Sequence, residues 1–301
     1  MKKAFTCGIL ASLFFAFTFL LNSSMNLSGG FWMWSACLRY LIVLPMLALL
    51  LWRLPGDRFT PVLNDIKKQP VTWFLWSTVG FGFFYLPMTL GSAFGESWLV
   101  AASWQITIVA GVLLTPLFGK KIPIRNLLMA FVIVAGVFLL QISNMTANDF
   151  RGNFLAIFPI LIGAFCYPLG NRKMMQHCPE TMDTLQRVFG MVLCSTPFWI
   201  LVAVTAFVCD GAPGMGQVVQ SAGVALFSGV IATLLFFHAT DLVKENPKQL
   251  AIVEATQSGE VVFTLLGGIL VLGEKAPGIG GILGLVLIIG GMLCNSLISS
   301  K

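Results

Sequence analysis

Ten apolar segments follow one another along this chain, separated by short loops. Most are close to the roughly 20 residues that a helix needs to cross the hydrocarbon core of a bilayer. Their approximate limits are 4–21, 31–52, 71–91, 97–118, 124–142, 153–170, 183–208, 218–240, 249–272 and 277–298. Hydrophobic residues make up 57% of the chain and charged residues 10%, against about 25% charged residues in soluble domains. The sequence therefore predicts an all-α membrane protein with ten transmembrane helices.

The basic residues in the loops are distributed very unequally between the two sides of the predicted membrane. Arg151 and Lys275 fall on one side, and fourteen basic residues fall on the other. These fourteen are Lys2, Lys3, Arg53, Arg58, Lys67, Lys68, Lys120, Lys121, Arg125, Arg172, Lys173, Lys244, Lys248 and Lys301. Because cytoplasmic loops carry an excess of lysine and arginine, both termini are predicted to be cytoplasmic. Membrane orientation also explains the net charge of +6, so no nucleic-acid partner is expected.

The two halves of the chain, 1–145 and 146–301, show signs of an internal repeat. A shift of 154 residues places 119–123 (GKKIP) on 273–277 (GEKAP), and Gly136 on Gly290. Five helices per half is an odd number, so the second half would enter the membrane from the opposite side. Such an inverted repeat suits alternating access, in which a central site opens first to one side and then to the other. The alternative is that the match between the two halves is accidental, because apolar, glycine-rich helices align with almost any sequence of the same kind.

Several stretches carry a resemblance to a known family. They are Leu38-Arg39-Tyr40 in the second segment, 265–275 (LLGGILVLGEK) at the end of the ninth, and the glycine-rich 280–291 in the tenth. With the count of ten segments, they make the chain similar to the drug/metabolite transporter superfamily. The closest resemblance is to its ten-helix EamA-type branch and the multidrug-resistance efflux group.

The resemblance implies two inverted five-helix repeats in one membrane domain. It also implies secondary transport of small molecules across the cytoplasmic (inner) membrane without ATP, through a central cavity lined mainly by segments three, four, eight and nine. One departure concerns the proline that many relatives carry early in segments four and nine. Here 100–104 reads VAASW and 254–258 reads EATQS. The substrate preference of proline-bearing amino-acid exporters therefore cannot be carried over.

Two acids, Glu254 and Glu260, lie inside the ninth apolar segment, with Gln257 halfway between them. A carboxylate at bilayer depth costs roughly 2.5 kcal/mol or more. At 100° per residue the three side chains would fan over about 120° of one α-helix face. Because loss of water disfavours the charged form of a carboxyl group, either acid could load and release a proton, as proton antiport requires. The alternatives are a structural ion pair with Arg39 or Arg187, or a neutral acid hydrogen-bonded to a neighbouring helix.

The two arginines within segments, Arg39 and Arg187, have different expected roles. Arg39 lies too deep for easy snorkelling and is either a structural counter-ion or a substrate or gate residue. Arg187 lies near the cytoplasmic edge, where its side chain can reach water, and a structural role is favoured. If Glu260 pairs with Arg39, proton carriage would move to Glu254.

Trp104 and Gln105 lie deep in the fourth segment and, with the ninth-segment residues, would place an aromatic wall beside an acid. Flat cations bind such a combination through stacking and cation–π contacts of roughly 0.5–2 kcal/mol each. The alternative for Trp104 is core packing. Tyr85 and Tyr167 are expected to be packing residues with one hydrogen bond each. His238 is interpreted as an interface histidine, with gating or proton relay as the alternative.

Motifs of other protein classes are missing from the sequence. Its seven cysteines form no CxxC and no Cys/His spacing that suits zinc, and there is no GxxxxGK[ST], GxSxG or HExxH. We therefore expect no cofactor, no metal and no enzymatic activity. The predicted function is export of small amphipathic or cationic compounds in exchange for protons, with export of amino acids or another metabolite as the alternative. The expected partners are the substrate, protons and lipid; the oligomeric state is open, and a monomer is compatible with the sequence.

Overall fold

The computed structural model describes residues 2–119, 121–122, 124–144, 150–243, 249, 252–253 and 256–299. Within these residues the chain is helical and has no β-strand. The α-helices described are α1 Lys2–Leu27, α2 Trp32–Arg53, α3 Phe59–Lys68, α4 Pro70–Ser77, α5 Phe83–Ser92, α6 Ser97–Trp104, α7 Ile106–Leu113, α8 Ile124–Asn144, α9 Phe150–His177, α10 Thr184–Asp210, α11 Met215–Val224, α12 Thr233–Asp241, α13 Gly259–Gly267 and α14 Ile279–Ser299.

Six helical stretches in the described part of the chain are long and apolar enough to cross a membrane. They are Lys2–Leu27, Trp32–Arg53, Leu127–Asn144, Phe154–His177, Thr184–Asp210 and Met215–Thr240. Shorter apolar helices cover Ser97–Leu113, Thr256–Leu272 and Ile279–Asn295. The all-helical, multi-pass fold is thus confirmed, while the number of ten crossings stays a prediction.

The limits of some helices differ from those expected. The sixth apolar segment, expected over 153–170, belongs to the longer helix α9. Helix α10 begins at Thr184 because Asp183 and Gln186 form a capping box there, with Gln186 N donating to Asp183 Oδ1 over 2.8 Å. Helix α3 was missed, because a search for apolar runs passes over a short amphipathic helix. Its Asp65 is buried and accepts a hydrogen bond from Trp73 Nε1 at 2.9 Å.

Four helix contacts build most of the bundle: α8 with α14, α2 with α10, α5 with α9, and α1 with the continuous helical stretch that contains α11 and α12. Glycines let α8 and α14 approach closely, as small residues do in membranes. A Cβ on Gly136 would lie 2.8 Å from the carbonyl oxygen of Gly284. None of the described residues lies within 4 Å of a Cβ built on Gly290, the residue aligned with Gly136 by the 154-residue shift. The aligned glycines therefore do not pack alike.

Several transmembrane segments are interrupted near the middle of the bundle. π-Helical turns occupy Thr78–Gly82 and Ala225–Ala232, in the third and eighth expected segments. The fourth segment is broken at Gln105, whose N–H bonds the carbonyl oxygen of Ala102 rather than that of residue 101. The ninth contains the 3₁₀ turn Thr256–Ser258. Such interruptions re-aim side chains and free backbone groups, and in transporters they commonly surround the binding site.

Candidate substrate cavity

A cavity of about 460 Å³ lies among the interrupted helices. Its volume is in the range of small-molecule sites, and its wall combines many apolar groups with a few polar ones. The polar residues that line it are Thr18, Arg39, Gln105, Thr107, Asn171, Ser228, Thr233, Gln257, Glu260 and Asn295. The aromatic ones are Phe15, Phe19, Tyr40, Phe81, Phe84, Trp104, Tyr167 and Phe236. We call this space the central cavity.

The helix interruptions place the ninth-segment side chains in the cavity wall. Gln257 is in the 3₁₀ turn Thr256–Ser258, and Glu260 is in the first turn of α13. Because of this turn, the regular spacing of 100° per residue assumed for one α-helix face does not hold between them. Glu254, the other acid, lies outside the described residues.

Glu260 is a buried acid that lines the central cavity, with 8% of its surface exposed. No hydrogen bond to its carboxylate is found within the described part of the chain. The expected alternative of an ion pair with Arg39 is not realised here, because among the described residues only Arg58 and Asp183 form one, at 2.6 Å. Glu260 and Arg39 thus share the cavity without direct pairing.

Arg39 is held in place by two neighbours, Ser228 and Tyr85. Its Nη2 donates to Ser228 Oγ at 3.1 Å, and its guanidinium carbon lies 4.2 Å from the centroid of the Tyr85 ring. Ser228 Oγ also accepts a hydrogen bond from Thr18 Oγ1 at 2.6 Å. The other terminal nitrogen, Nη1, is buried and has no hydrogen-bond partner among the described residues. The guanidinium therefore lies in the cavity wall with Nη1 still able to donate hydrogen bonds to a ligand.

An aromatic cluster forms one wall of the cavity. Ring centroids are 4.9 Å apart for Trp104 and Phe84, 4.8 Å for Phe84 and Tyr167, and 5.6 Å for Trp104 and Tyr167. Tilted and edge-to-face contacts at these distances are the favourable ones for aromatic pairs. The rings therefore form a preassembled surface against which a flat apolar group can pack.

The two glutamines behave differently. Gln105 Nε2 donates to the Ala101 carbonyl oxygen at 3.1 Å, which uses one of the two N–H groups of its amide. Gln257 Nε2 is buried and has no partner in the described part of the molecule. Among the described residues, Gln105 thus has a partner for its amide nitrogen and Gln257 has none.

Three of the residues predicted from the sequence lie outside the cavity wall. Tyr85 is fully buried behind Arg39 and accepts a hydrogen bond from Asn22 Nδ2 at 3.0 Å. Arg187, near the start of α10, and His238, which is exposed on α12, do not line the cavity.

A second polar cluster, centred on Glu274, was not revealed by the sequence. Glu274 Oε1 accepts hydrogen bonds from Ser97 N at 2.8 Å and Ser23 Oγ at 2.9 Å, and Oε2 accepts one from Ser97 Oγ at 2.7 Å. Trp98 Nε1 donates to the Lys275 carbonyl oxygen at 3.2 Å. We call these five residues the Glu274 junction. It ties α1 and α6 to the connection that precedes α14.

Sequence reasoning also missed polar residues that line or support the cavity: Thr18, Asn22, Thr107, Asn171, Ser228, Thr233 and Asn295. Ser228 and Thr18 had no distinguishing signal, because hydroxyl side chains are common in membrane helices. Asn22 lies one residue beyond the first apolar segment predicted at 4–21, whereas α1 continues to Leu27. The position of the Asn22 amide, directly after an apolar run, is the one sequence signal that could have identified this residue.

The comparisons with known proteins agree with this arrangement. The family model EmrE, described as "Putative multidrug resistance efflux transporter", matches residues 2–301. The chain belongs to this family of the drug/metabolite transporter superfamily. Membership of the EmrE family indicates a small-molecule efflux transporter rather than an enzyme, and agrees with the multi-pass fold.

Two curated relatives have no described activity. "Uncharacterized protein YjlA" of Bacillus subtilis (strain 168) is 46% identical over 310 residues, covering 99% of this chain and 95% of its own. "Uncharacterized 42.1 kDa protein in intracellular alkaline protease 3'region" of Shouchella clausii is 42% identical over 271 residues, covering 86% of this chain and 70% of its own. A chain from a solved crystal structure has a TM-score of 0.64 at 14% identity, covering 99% of this chain and 98% of that one, which shows the shared fold.

Proposed function

We propose that this EmrE-family protein is a secondary active transporter that exports small amphipathic or cationic compounds in exchange for protons. The observation that carries the proposal is Glu260, an acid without a hydrogen-bond partner among the described residues, in a cavity of about 460 Å³. Burial away from water disfavours the charged form of a carboxyl group. One acid that holds either a proton or a cationic group, but not both, couples the two fluxes. The aromatic cluster would receive the apolar part of the substrate.

The proposal includes alternating access by ten helices arranged as two inverted repeats, in the cytoplasmic membrane with both termini inside. The left-handed residues Gly119 (φ 72°) and Gly273 (φ 66°), separated by the 154-residue shift, support the repeat. Interruptions in the fourth and ninth segments also support it. Asn171 and Asn295, near helix ends expected to be cytoplasmic, line the cavity, while the Glu274 junction lies at the opposite end. The conformation described is then the inward-facing one, and outward opening requires the junction to separate.

Export of amino acids or another metabolite is the second candidate. The observation that favours it is Arg39, a permanent cation in the cavity wall, because a site for simple cations gains nothing from such a residue. Both candidates use the same cavity and the same acid. They differ in whether the cargo carries an acceptor group for Arg39.

Proton coupling can be tested with the purified protein in liposomes that contain a pH-sensitive dye. Toxic cations and amino-acid analogues are added in turn, and substrate-driven proton flux is recorded under a pH gradient. We expect Glu260→Gln to lower the flux to that of empty liposomes. The exposed acid Glu180 supplies the matched control, Glu180→Gln, which should keep the wild-type flux. Wild-type flux in a folded Glu260→Gln variant would refute coupling at Glu260, and Glu254→Gln would then be measured in the same way.

A further inference from the structure

Two buried donor groups on the central cavity lack partners in the described part of the molecule: Nη1 of Arg39 and Nε2 of Gln257. Nearly all buried donors in proteins are hydrogen-bonded, because an unpaired one costs about 1–3 kcal/mol and a charged one more. Two such groups on one cavity therefore need an explanation. Both are donors, so the group that would satisfy them is an acceptor.

Arg39 is organised before any ligand arrives. The Tyr85 ring lies against its guanidinium, and Ser228 holds Nη2, so the remaining edge cannot turn away to find another partner without breaking these contacts. Arginine keeps its charge at every physiological pH, and its planar fork matches a carboxylate. No carboxylate of the described residues lies within 4 Å of it. A fixed, 9% exposed cation that forms no ion pair with the described residues can bind the anionic group of a ligand.

The charges of the cavity wall also restrict its ligand. A purely cationic ligand on Glu260 would leave the Arg39 charge unbalanced and would add a second positive charge to the same small, poorly hydrated space. A ligand with one positive and one negative group balances both residues, because Arg39 and an ionised Glu260 sum to zero. Like charges in a poorly hydrated site repel strongly, whereas opposite pairs attract.

We propose that the central cavity selects amphoteric substrates that carry a carboxylate, a protonated amine and a flat apolar body. The carboxylate binds Arg39 and Gln257, the amine binds Glu260, and the apolar body packs on Trp104 and Phe84. This inference rests on the proposed function and narrows its substrate class from amphipathic or cationic compounds to zwitterions.

Matched ligands that differ only in charge test the proposal. Each set consists of an aromatic amino acid, its methyl ester, which lacks the carboxylate, and its N-acetyl derivative, which lacks the amine; the parent compounds are phenylalanine, tyrosine and tryptophan. Binding to the detergent-purified full chain is measured by calorimetry at neutral pH without a gradient. We expect at least one amino acid to bind about tenfold more tightly than both of its derivatives, the size of effect that one charge-assisted hydrogen bond gives. If no amino acid binds better than its ester, the proposal is wrong.

Variants connect the preference to Arg39. Arg39→Gln should bind the amino acid and its ester equally, and Arg39→Lys, which keeps the charge but not the fork, should keep part of the preference. Arg53, exposed at the end of the same helix, supplies the control Arg53→Gln, with wild-type preference expected. If Arg39→Gln does not fold, Gln257→Leu serves as the second variant and must lower the preference for the amino acid over its ester. If the folded variants keep the full preference, Arg39 and Gln257 do not bind the carboxylate and the proposal is wrong. Because binding is measured without a proton gradient, failure of proton coupling and failure of this inference are separate results.

Discussion

The Glu274 junction and the central cavity differ in whether their polar side chains have hydrogen-bond partners. At the junction, Glu274 accepts three hydrogen bonds from Ser23 and Ser97, so its two oxygens are both engaged. In the cavity, the Glu260 carboxylate has no hydrogen bond within the described residues, and Arg39 and Gln257 each keep an unpaired donor atom. The two acids are only fourteen residues apart in the sequence. The difference indicates that the junction holds helices together, whereas the cavity keeps its polar groups available for a ligand.

The same contrast has an energetic side. A carboxylate that accepts a backbone N–H at the start of a helix and two hydroxyl groups stabilises the helices that it joins. Unpaired donors in a cavity destabilise the empty protein, and a ligand that satisfies them recovers this free energy on binding. Stability and binding should therefore respond in opposite directions to mutations in the two regions.

The largest effect on stability is expected for Glu274→Ala. The variant leaves Ser97 N and the hydroxyl groups of Ser97 and Ser23 without their acceptor, at a cost of about 2 kcal/mol in the free energy of unfolding. Hydrogen–deuterium exchange should rise in the peptides that contain Ser23 and Ser97, and the melting temperature should fall. Glu274→Gln keeps one acceptor oxygen and should show a smaller change. Unchanged exchange in Glu274→Ala would mean that the junction does not hold this end closed.

Ser97→Ala should have an intermediate effect. It removes the hydroxyl that donates to Glu274 Oε2 but leaves the backbone N–H that donates to Oε1. We expect a loss of about 1 kcal/mol, the usual value of one hydrogen bond. The control is Ser28→Ala, an exposed serine that bonds only the Ser24 carbonyl oxygen, for which no measurable change in melting temperature is expected. Equal effects of the two variants would contradict the distinction between them.

Gln257→Leu tests the cavity side of the comparison. Replacing a half-buried amide, whose buried Nε2 has no partner among the described residues, by an apolar side chain of similar size removes an unsatisfied group. The melting temperature should therefore stay the same or rise, even though zwitterion binding weakens. A fall as large as that of Glu274→Ala would show that Gln257 has a structural role.

The sequence predicted the cavity better than it predicted the junction, for physical reasons. Arg39, Gln257 and Glu260 were recognised because charged and amide groups are costly inside a membrane, and the structure brings all three to one cavity. The Glu274 junction was missed as a cluster because a serine and a glutamate in connections near the membrane surface carry no such cost. Their contact depends on how separate helices meet.

Backbone interruptions were also beyond the sequence reasoning. The fourth segment breaks at Gln105 without a proline or glycine at that residue, whereas the break at Thr256–Ser258 in the ninth segment is followed by Gly259, a weak signal in a glycine-rich chain. Extrapolating one regular helix face across the ninth segment was therefore wrong, although the residues it singled out at Gln257 and Glu260 do share a cavity. The free-energy cost of a polar group in lipid identified which side chains must face protein or water. The direction in which each of them points depends on how the helices pack, which the sequence does not show.

The smallest effect is expected from Glu96, beside the junction at the start of α6. Partial burial raises the pKa of its carboxyl group, the nearby Glu274 charge acts in the same direction, and the hydrogen bond from the backbone N–H of Lys275 opposes them. Because the folded state then binds the proton more tightly than the unfolded state, stability rises as the pH falls through the folded pKa, and the gain is complete below the unfolded pKa. Melting temperatures of the wild type and Glu96→Gln, measured from neutral to acidic pH, should show this gain in the wild type alone. A pH dependence that is identical in the two proteins would exclude Glu96 as its source and leave the remaining carboxyl groups of the chain to account for it.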